Sequence, residues 1–161
     1  MHAPANPPKG ITLCSYKPGD ADAMFALDLE CFTPPFRFTR RPMQSFAEQP
    51  GAITLLAESS AQPPQLAGFV ITHMEGRTAY IVTLDVAAAF RRHGLARLLM
   101  SETELRALAA GAQEIALHVF TGNADAISFY ESLGYSRHRM AENFYARGVH
   151  ALVYRKELVV S

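Results

Sequence analysis

The chain has 161 residues, 49% of them apolar, and its 15 Lys plus Arg balance 15 Asp plus Glu. That length supports one domain with a substantial core and is short for two, and the apolar share excludes intrinsic disorder. Balanced charge gives no general basic surplus for nucleic acid, so a local cluster of cations points to a small anionic ligand.

Residues 1–10, MHAPANPPKG, lack the charged-then-apolar order of a signal peptide and read as a flexible lead-in. Residues 11–158 are expected to form a single domain. ITLCSYKP reads as a first strand closed by Pro18 and Gly19, and Asp20 stands where it would cap a helix running to about Glu30. Pro34 and Pro35 forbid regular helix in CFTPPFRFTRRP, and a short helix is expected over MQSFAEQ. Three strands in hairpins follow, AITLLAES, LAGFVITHM and TAYIVTLDV, separated by Pro63-Pro64 and by Glu75-Gly76-Arg77.

Gly94–Ala110 is the long helix. Leu95, Leu99, Met100, Thr103, Ala107 and Ala110 form one stripe, Leu98, Leu105 and Ala109 a second, and Arg97, Ser101 and Glu104 keep one face polar. Such a helix is expected to be covered on most sides, with Glu102 unexplained between the stripes. EIALHVF is a strand, Asn123 caps a helix to Leu133, and Gly134 ends it. YSRHRM and VHALVYRKEL are the last strands. The strand–helix–strand passage from 79 to 119 demands parallel neighbours, which makes the fold class α/β (α+β three-layer).

FRRHGLARLL, residues 90–99, gathers Arg91, Arg92 and Arg97 at one helix start. Unpaired N–H groups and the positive dipole end already favour an anion there, and the arginines suit the spot to a pyrophosphate. Ligands of such units bind at the carboxyl ends of the strands, where this turn lies. Gly94 lets the backbone approach closely, and small Ala96 keeps bulk away. Cys14 and Cys31 match no disulfide or metal pattern and have no basic partner in view, which fits packed thiols in a reducing cytoplasm. His73, His93, His138 and His150 show no ligand spacing, so no metal is expected. No stretch approaches the ~18 apolar residues of a membrane span.

Arg91-Arg92-His93-Gly94-Leu95-Ala96 follows a strand and opens a helix. It resembles the signature of the GNAT superfamily of acyl-CoA-dependent N-acetyltransferases: Arg or Gln, two residues, Gly, one residue, Gly or Ala. TGNADAISFYESLGY resembles the same family's asparagine-to-tyrosine segment ending in Leu-Gly-Phe or Leu-Gly-Tyr. Within the superfamily the likeness is to protein N-terminal acetyltransferases, including the bacterial type that acetylates ribosomal proteins. The resemblance implies a mixed sheet of about seven strands and about four helices, its parallel pair splayed at an acetyl-CoA cleft.

It also implies roles. Leu84, Asp85 and Val86 would pair through their backbone with the pantetheine arm of acetyl-CoA, the acetyl donor. Arg91, Arg92, His93, Gly94, Leu95, Ala96 and Arg97 would cradle its diphosphate, and Asn123 would hold the same cofactor. Tyr80 and His118 fall on a fourth-strand tyrosine and a fifth-strand histidine of the family, and Tyr130 on the tyrosine beside the sulfur. Phe32 and Pro34, with Pro35 and Phe36, correspond to one wall of a peptide pocket, and Phe144 and Tyr145 of NFYARG to the other. Packing alone also accounts for the Pro-Pro turn, for a strand histidine and for a core tyrosine.

The amine must lose a proton before it attacks. Lysine amines start near pKa ~10.4 and α-amines near ~7.7 to 8.0, so an N-terminus is the cheaper acceptor. His118, ordinarily near ~6.5, is able to take that proton directly or through a water shared with Tyr80. Tyr130 is able to protonate the departing thiolate, and N–H groups of a bulged fourth strand at Val86 to meet the carbonyl oxygen. Direct transfer without an acyl-enzyme is expected. Two departures stand out: Val149-His150-Ala151 lacks the family's acidic residue before the alanine, and AAAF replaces a proline-containing turn before the arginines. A small-molecule amine acetyltransferase with an acid-lined pocket and a non-catalytic acyl-CoA-binding module stay open as other functions. A homodimer is open too.

Overall fold

The structure is a computed structural model and describes residues 7–159. Residues 1–6 of the expected lead-in lie outside the described residues. Its remainder is tied down: Ile11 N–H donates to the Pro8 carbonyl (3.0 Å) and Ser60 N–H to the Gly10 carbonyl (2.8 Å).

The elements are β1 Ile11–Ser15, α1 Ala21–Cys31, α2 Arg40–Glu48, β2 Ile53–Ser59, β3 Leu66–Glu75 and β4 Thr78–Val86. They continue with α3 Leu95–Ala109, β5 Glu114–Phe120, α4 Ala124–Ser132, β6 Ser136–Ala146 and β7 Val149–Glu157. All seven strands form one sheet in the order β1-β2-β3-β4-β5-β7-β6. Only β4 and β5 run parallel, as the crossover through α3 requires. Met24, Leu27, Met43 and Ala47 of α1 and α2 cover Leu56, Phe69 and Ile71 on one face. Leu95, Leu98, Leu99 and Met100 of α3 pack on Leu55, Val70, Ile81 and Leu117 on the other. Covered twice, β2 and β3 are buried almost continuously instead of alternating.

The parallel pair is short. Thr78–Ile81 pair with Glu114–Leu117, and beyond them the strands have no mutual partners. The cause sits in β4: Ile71 faces Thr83 while Thr72 faces Ile81, so Val82 is an extra, bulged residue. A bulge bends its strand and resets the alternation. Ala79 and Ile81 before it and Leu84 and Val86 after it all pack with the α3-side core, which a regular strand cannot do. The bulge therefore lies at Val82, not at Val86 as expected.

Other boundaries also moved. Asp20 does not cap α1 through its side chain; its Oδ2 accepts from Lys17 N–H (2.7 Å) and closes the 3-10 turn Pro18–Asp20 instead. α2 starts at Arg40, earlier than expected, because Pro42 falls in its first turn, where an N–H has no intrahelical acceptor. Ala109 and Ala110 are exposed at the end of α3, while the rest of its two stripes is covered. Glu102 pairs with Arg106 one turn on (3.1 Å), and Glu104 accepts from Tyr135 (2.9 Å) and Lys156 (2.8 Å).

Gly68 of β3 lies beneath α3. A Cβ there would stand 2.8 Å from the Asp85 carbonyl oxygen and 3.2 Å from Leu99 Cδ1, and a backbone oxygen cannot swing away. Gly68→Ala is expected to cost about 1–3 kcal/mol of stability, read as a lower urea midpoint. An unchanged midpoint would show that the sheet yields freely there.

Candidate active site

Tyr80 and His118 meet where the parallel strands part. The Tyr80 hydroxyl and His118 Nδ1 are 2.7 Å apart, with the rings at 5.4 Å and 67°. Burial, then Tyr145, holds the Tyr80 phenol well above its ordinary value, so it keeps its proton. Tyr80 therefore donates to Nδ1, which assigns the neutral imidazole its own proton on Nε2. Burial, then the charge of Arg139, pushes His118 below its ordinary value. Arg139 lies in one row with it across the sheet: His118 faces Val153, and Val153 faces Arg139.

An aromatic wall borders this pair. The Phe144 ring stacks on His118 at 3.8 Å and 7°, and Tyr145 meets Phe144 at 5.0 Å. Tyr145 also meets Phe36 at 4.9 Å, edge-on, and Phe36 meets Phe120 at 5.0 Å. The wall comes from a break in β6–β7 pairing, where the register passes from Ala141 facing Ala151 to Ala146 facing Val149. Four residues, 142–145, thus stand opposite His150 alone. Asn143, at φ +54°, donates its N–H to His150 Nδ1 (2.8 Å), and its Oδ1 accepts from Gly148 N–H (2.7 Å). His150, where the acidic residue was missing, pins this hairpin.

The expected wall residues are only partly joined. Phe144 and Tyr145 border the pair, and of the opposite wall Phe36 reaches them, while Phe32 is half-buried and Pro34 exposed. Phe120 was not expected there, although it follows His118 by two residues and so shares its face of β5. Of the other histidines, His73 is a core residue whose Nε2 meets the Phe46 carbonyl at 2.8 Å.

The turn before α3 has the shape of an anion cradle. Gly94 sits at φ +80° and Arg92 at +64°. The first bond of the helix runs from Leu98 N–H to the Gly94 carbonyl (3.0 Å), which leaves the N–H groups of Leu95, Ala96 and Arg97 without intrahelical acceptors. A Cβ on Gly94 would touch nothing within 4 Å, so the approach is open. Arg92, His93 and Arg97 are exposed around it, and the Leu95 side chain turns into the core. Arg97 also donates to Ser132 (3.3 Å), joining α3 to α4. Arg91 folds back and donates to the Val86 carbonyl (3.0 Å). Leu84, Asp85 and Val86 lie past the last β5 partner of β4, on its open stretch.

Asn123 caps α4 by accepting from Ala126 N–H (3.1 Å). Tyr130 is half-buried, its ring 5.2 Å from Phe129 and 5.8 Å from Tyr135. Burial above all holds its phenol well above the ordinary value, so it too keeps its proton. Cys31 does have a basic neighbour, contrary to expectation: Arg91 Nη2 is 3.7 Å from its sulfur, which also donates to the Val86 carbonyl (3.4 Å). Burial nevertheless raises this thiol, which keeps it a poor nucleophile.

Residues 21–135 match the family model described as Acetyltransferase (GNAT) family. The N-terminal acetyltransferase B complex catalytic subunit naa20 of Schizosaccharomyces pombe is 32% identical over 99 residues, 59% of this chain and 55% of that protein. The [ribosomal protein bS18]-alanine N-acetyltransferase of Salmonella typhimurium is 32% identical over 81 residues, 50% of this chain and 55% of that protein. The chain thus spans about half the length of these curated relatives. In fold it is similar to the solved ribosomal-protein-S18-alanine N-acetyltransferase from Escherichia coli, with a TM-score of 0.82 at 21% identity over 94% of this chain and 96% of that one.

Proposed function

The chain belongs to the GNAT acetyltransferase family, and from that membership we propose that it is an acetyl-CoA-dependent N-acetyltransferase whose acceptor is the α-amine of a protein or peptide N-terminus. The observation that carries the reading is the Tyr80–His118 hydrogen bond of 2.7 Å at the mouth of the splayed strands. An aromatic border of Phe36, Phe144 and Tyr145 supports an extended peptide over a small-molecule amine, which would call for an acid-lined pocket. The named activities of the relatives agree with it.

The open N–H groups of Leu95, Ala96 and Arg97, with Arg92 beside them, fit the diphosphate of acetyl-CoA. When bound, that molecule supplies an acetyl group activated as a thioester. Tyr80 accepts the amine proton on its oxygen while passing its own to His118 Nδ1, which leaves the amine with a free lone pair. A base held below the ordinary histidine value is a poor match for lysine and a closer one for an α-amine. Tyr130 gives its phenolic proton to the departing sulfur. Neither cysteine is needed as a nucleophile.

Release of free thiol is measured with three acceptor sets: peptides with free N-termini, N-terminally blocked peptides containing lysine, and small amines. Turnover confined to the free N-termini is expected. Preference for blocked lysine peptides or small amines would replace the acceptor named here, and binding of acetyl-CoA without any thiol release would remove the enzyme.

A further inference from the structure

Asp28 and Asp85 are the fully buried carboxyls among the described residues, at 0% and 1% exposure. Asp28, near the end of α1, accepts on Oδ2 from Phe38 N–H (2.8 Å). Asp85, past the bulge of β4, accepts on Oδ1 from the Thr83 hydroxyl (2.6 Å). No donor from another residue reaches Asp28 Oδ1 or Asp85 Oδ2, and the two carboxyls lie within hydrogen-bonding reach of each other. Five groups bear on the pair. Thr83 comes from β4, Phe38 N–H and Cys31 from the α1 side, Tyr130 from α4, and Arg91 from the turn after β4. Arg91 is the cation among them, but its guanidinium hydrogen-bonds the Val86 carbonyl and the Cys31 sulfur.

Two ionised carboxylates cannot share so dry a space without a cation between them. We propose that Asp28 and Asp85 hold one proton between them, with Asp85 donating it to Asp28 Oδ1, and that this pair is a positioning clamp for the acceptor side of the site. Asp85 is the donor because Asp28 already accepts from a fixed backbone N–H, whereas Asp85 has only a rotatable hydroxyl. Burial first, then the bond to Asp28 and its charge, lift Asp85 well above the usual carboxylate range.

The clamp links β4 to α1 and, through Phe38 N–H, to the segment that carries Phe36 against Tyr145. Its acceptor role rests on the N-terminal acetyltransferase reading; the shared proton does not. Losing the proton as pH rises sets two like charges face to face and loosens that wall. Acceptor KM is then expected to rise with pH while the KM for acetyl-CoA stays level.

Two measurements test this. In the wild-type protein labelled with 13C-aspartate, one of the five side-chain carboxyls is expected to keep its protonated chemical shift to clearly higher pH than the other four. All five titrating in the ordinary carboxylate range would overturn the shared proton, whatever the enzyme acetylates. The second is kinetic. Asp85→Asn keeps a donor toward Asp28 and is expected to abolish the rise of acceptor KM with pH. Asp28→Asn removes the charged acceptor and is expected to raise acceptor KM about tenfold, with acetyl-CoA affinity unmoved. If both constants move together in Asp28→Asn, or the rise with pH survives in Asp85→Asn, the clamp is only part of the core. A wild-type protein that acetylates no peptide sinks the acceptor reading alone, because the carboxyl titration still decides the proton.

Discussion

Replacing His118 with Ala is expected to cut kcat by about 10²–10⁴-fold, the range that a positioned general base contributes, while acetyl-CoA affinity stays as it was. The separation follows from geometry. His118 sits on β5 against Tyr80 and Phe144, whereas the cradle proposed for the diphosphate is backbone at the start of α3. Thiol release under saturating donor and calorimetric titration of acetyl-CoA read the two quantities apart. Removing the ring also strips Phe144 of the surface it stacks on, so His118→Gln belongs beside it. If glutamine restores turnover, His118 supports the wall and is not the base.

The same substitution has a signature in pH. A histidine held below its ordinary 6.5 stays neutral, and so able to accept a proton, throughout the neutral range. It is lost as a base only when pH falls through its depressed value. The acid limb of kcat/KM is therefore expected below pH 6.5 in the wild type and absent from the residual activity of His118→Ala. An acid limb unmoved by the substitution assigns it to another group.

What the chain reveals before folding is what depends on near neighbours. The turn at 94 needs a residue at positive φ and a helix behind it, and both are written within ten positions. Asn123 as a cap and Gly134 as a stop are equally local. Pro42 misleads because the first turn of a helix tolerates a missing N–H, so the proline marks a start and not a barrier. Asp20 misleads because two donors compete for one carboxylate, and the Lys17 amide wins.

The site itself depends on distant partners. Nothing in TAYIVTLDV marks Val82 as the bulged residue, since the alternation of a strand is broken there only by what β3 offers in return. Yet that one extra residue ends the parallel pairing, opens the cleft and turns Asp85 toward Asp28. His138 repeats the device in β6: its insertion sends Arg137 to face Tyr154 and Arg139 to face Val153, in the row of His118. Phe36 and Phe120 are 84 positions apart, and Asp28 and Asp85 are 57 apart. Residue types alone do not pair them; the sheet order does.

Tyr130→Phe is expected to lower kcat by about 10²-fold or more, with unfolding midpoint and acetyl-CoA affinity near those of the wild type. The ring stays against Phe129 and Tyr135, and only the proton goes. Because burial holds this phenol well above its ordinary 10.0, the wild-type donor is intact across the working range and sets no alkaline limb there. The decisive comparison varies the leaving group. A departing thiolate needs the proton less as its parent thiol becomes more acidic, so a pantetheine-type acetyl donor with a more acidic thiol is expected to close most of the gap between Tyr130→Phe and wild type. An equal loss for both donors means that Tyr130 only packs α4 against the sheet.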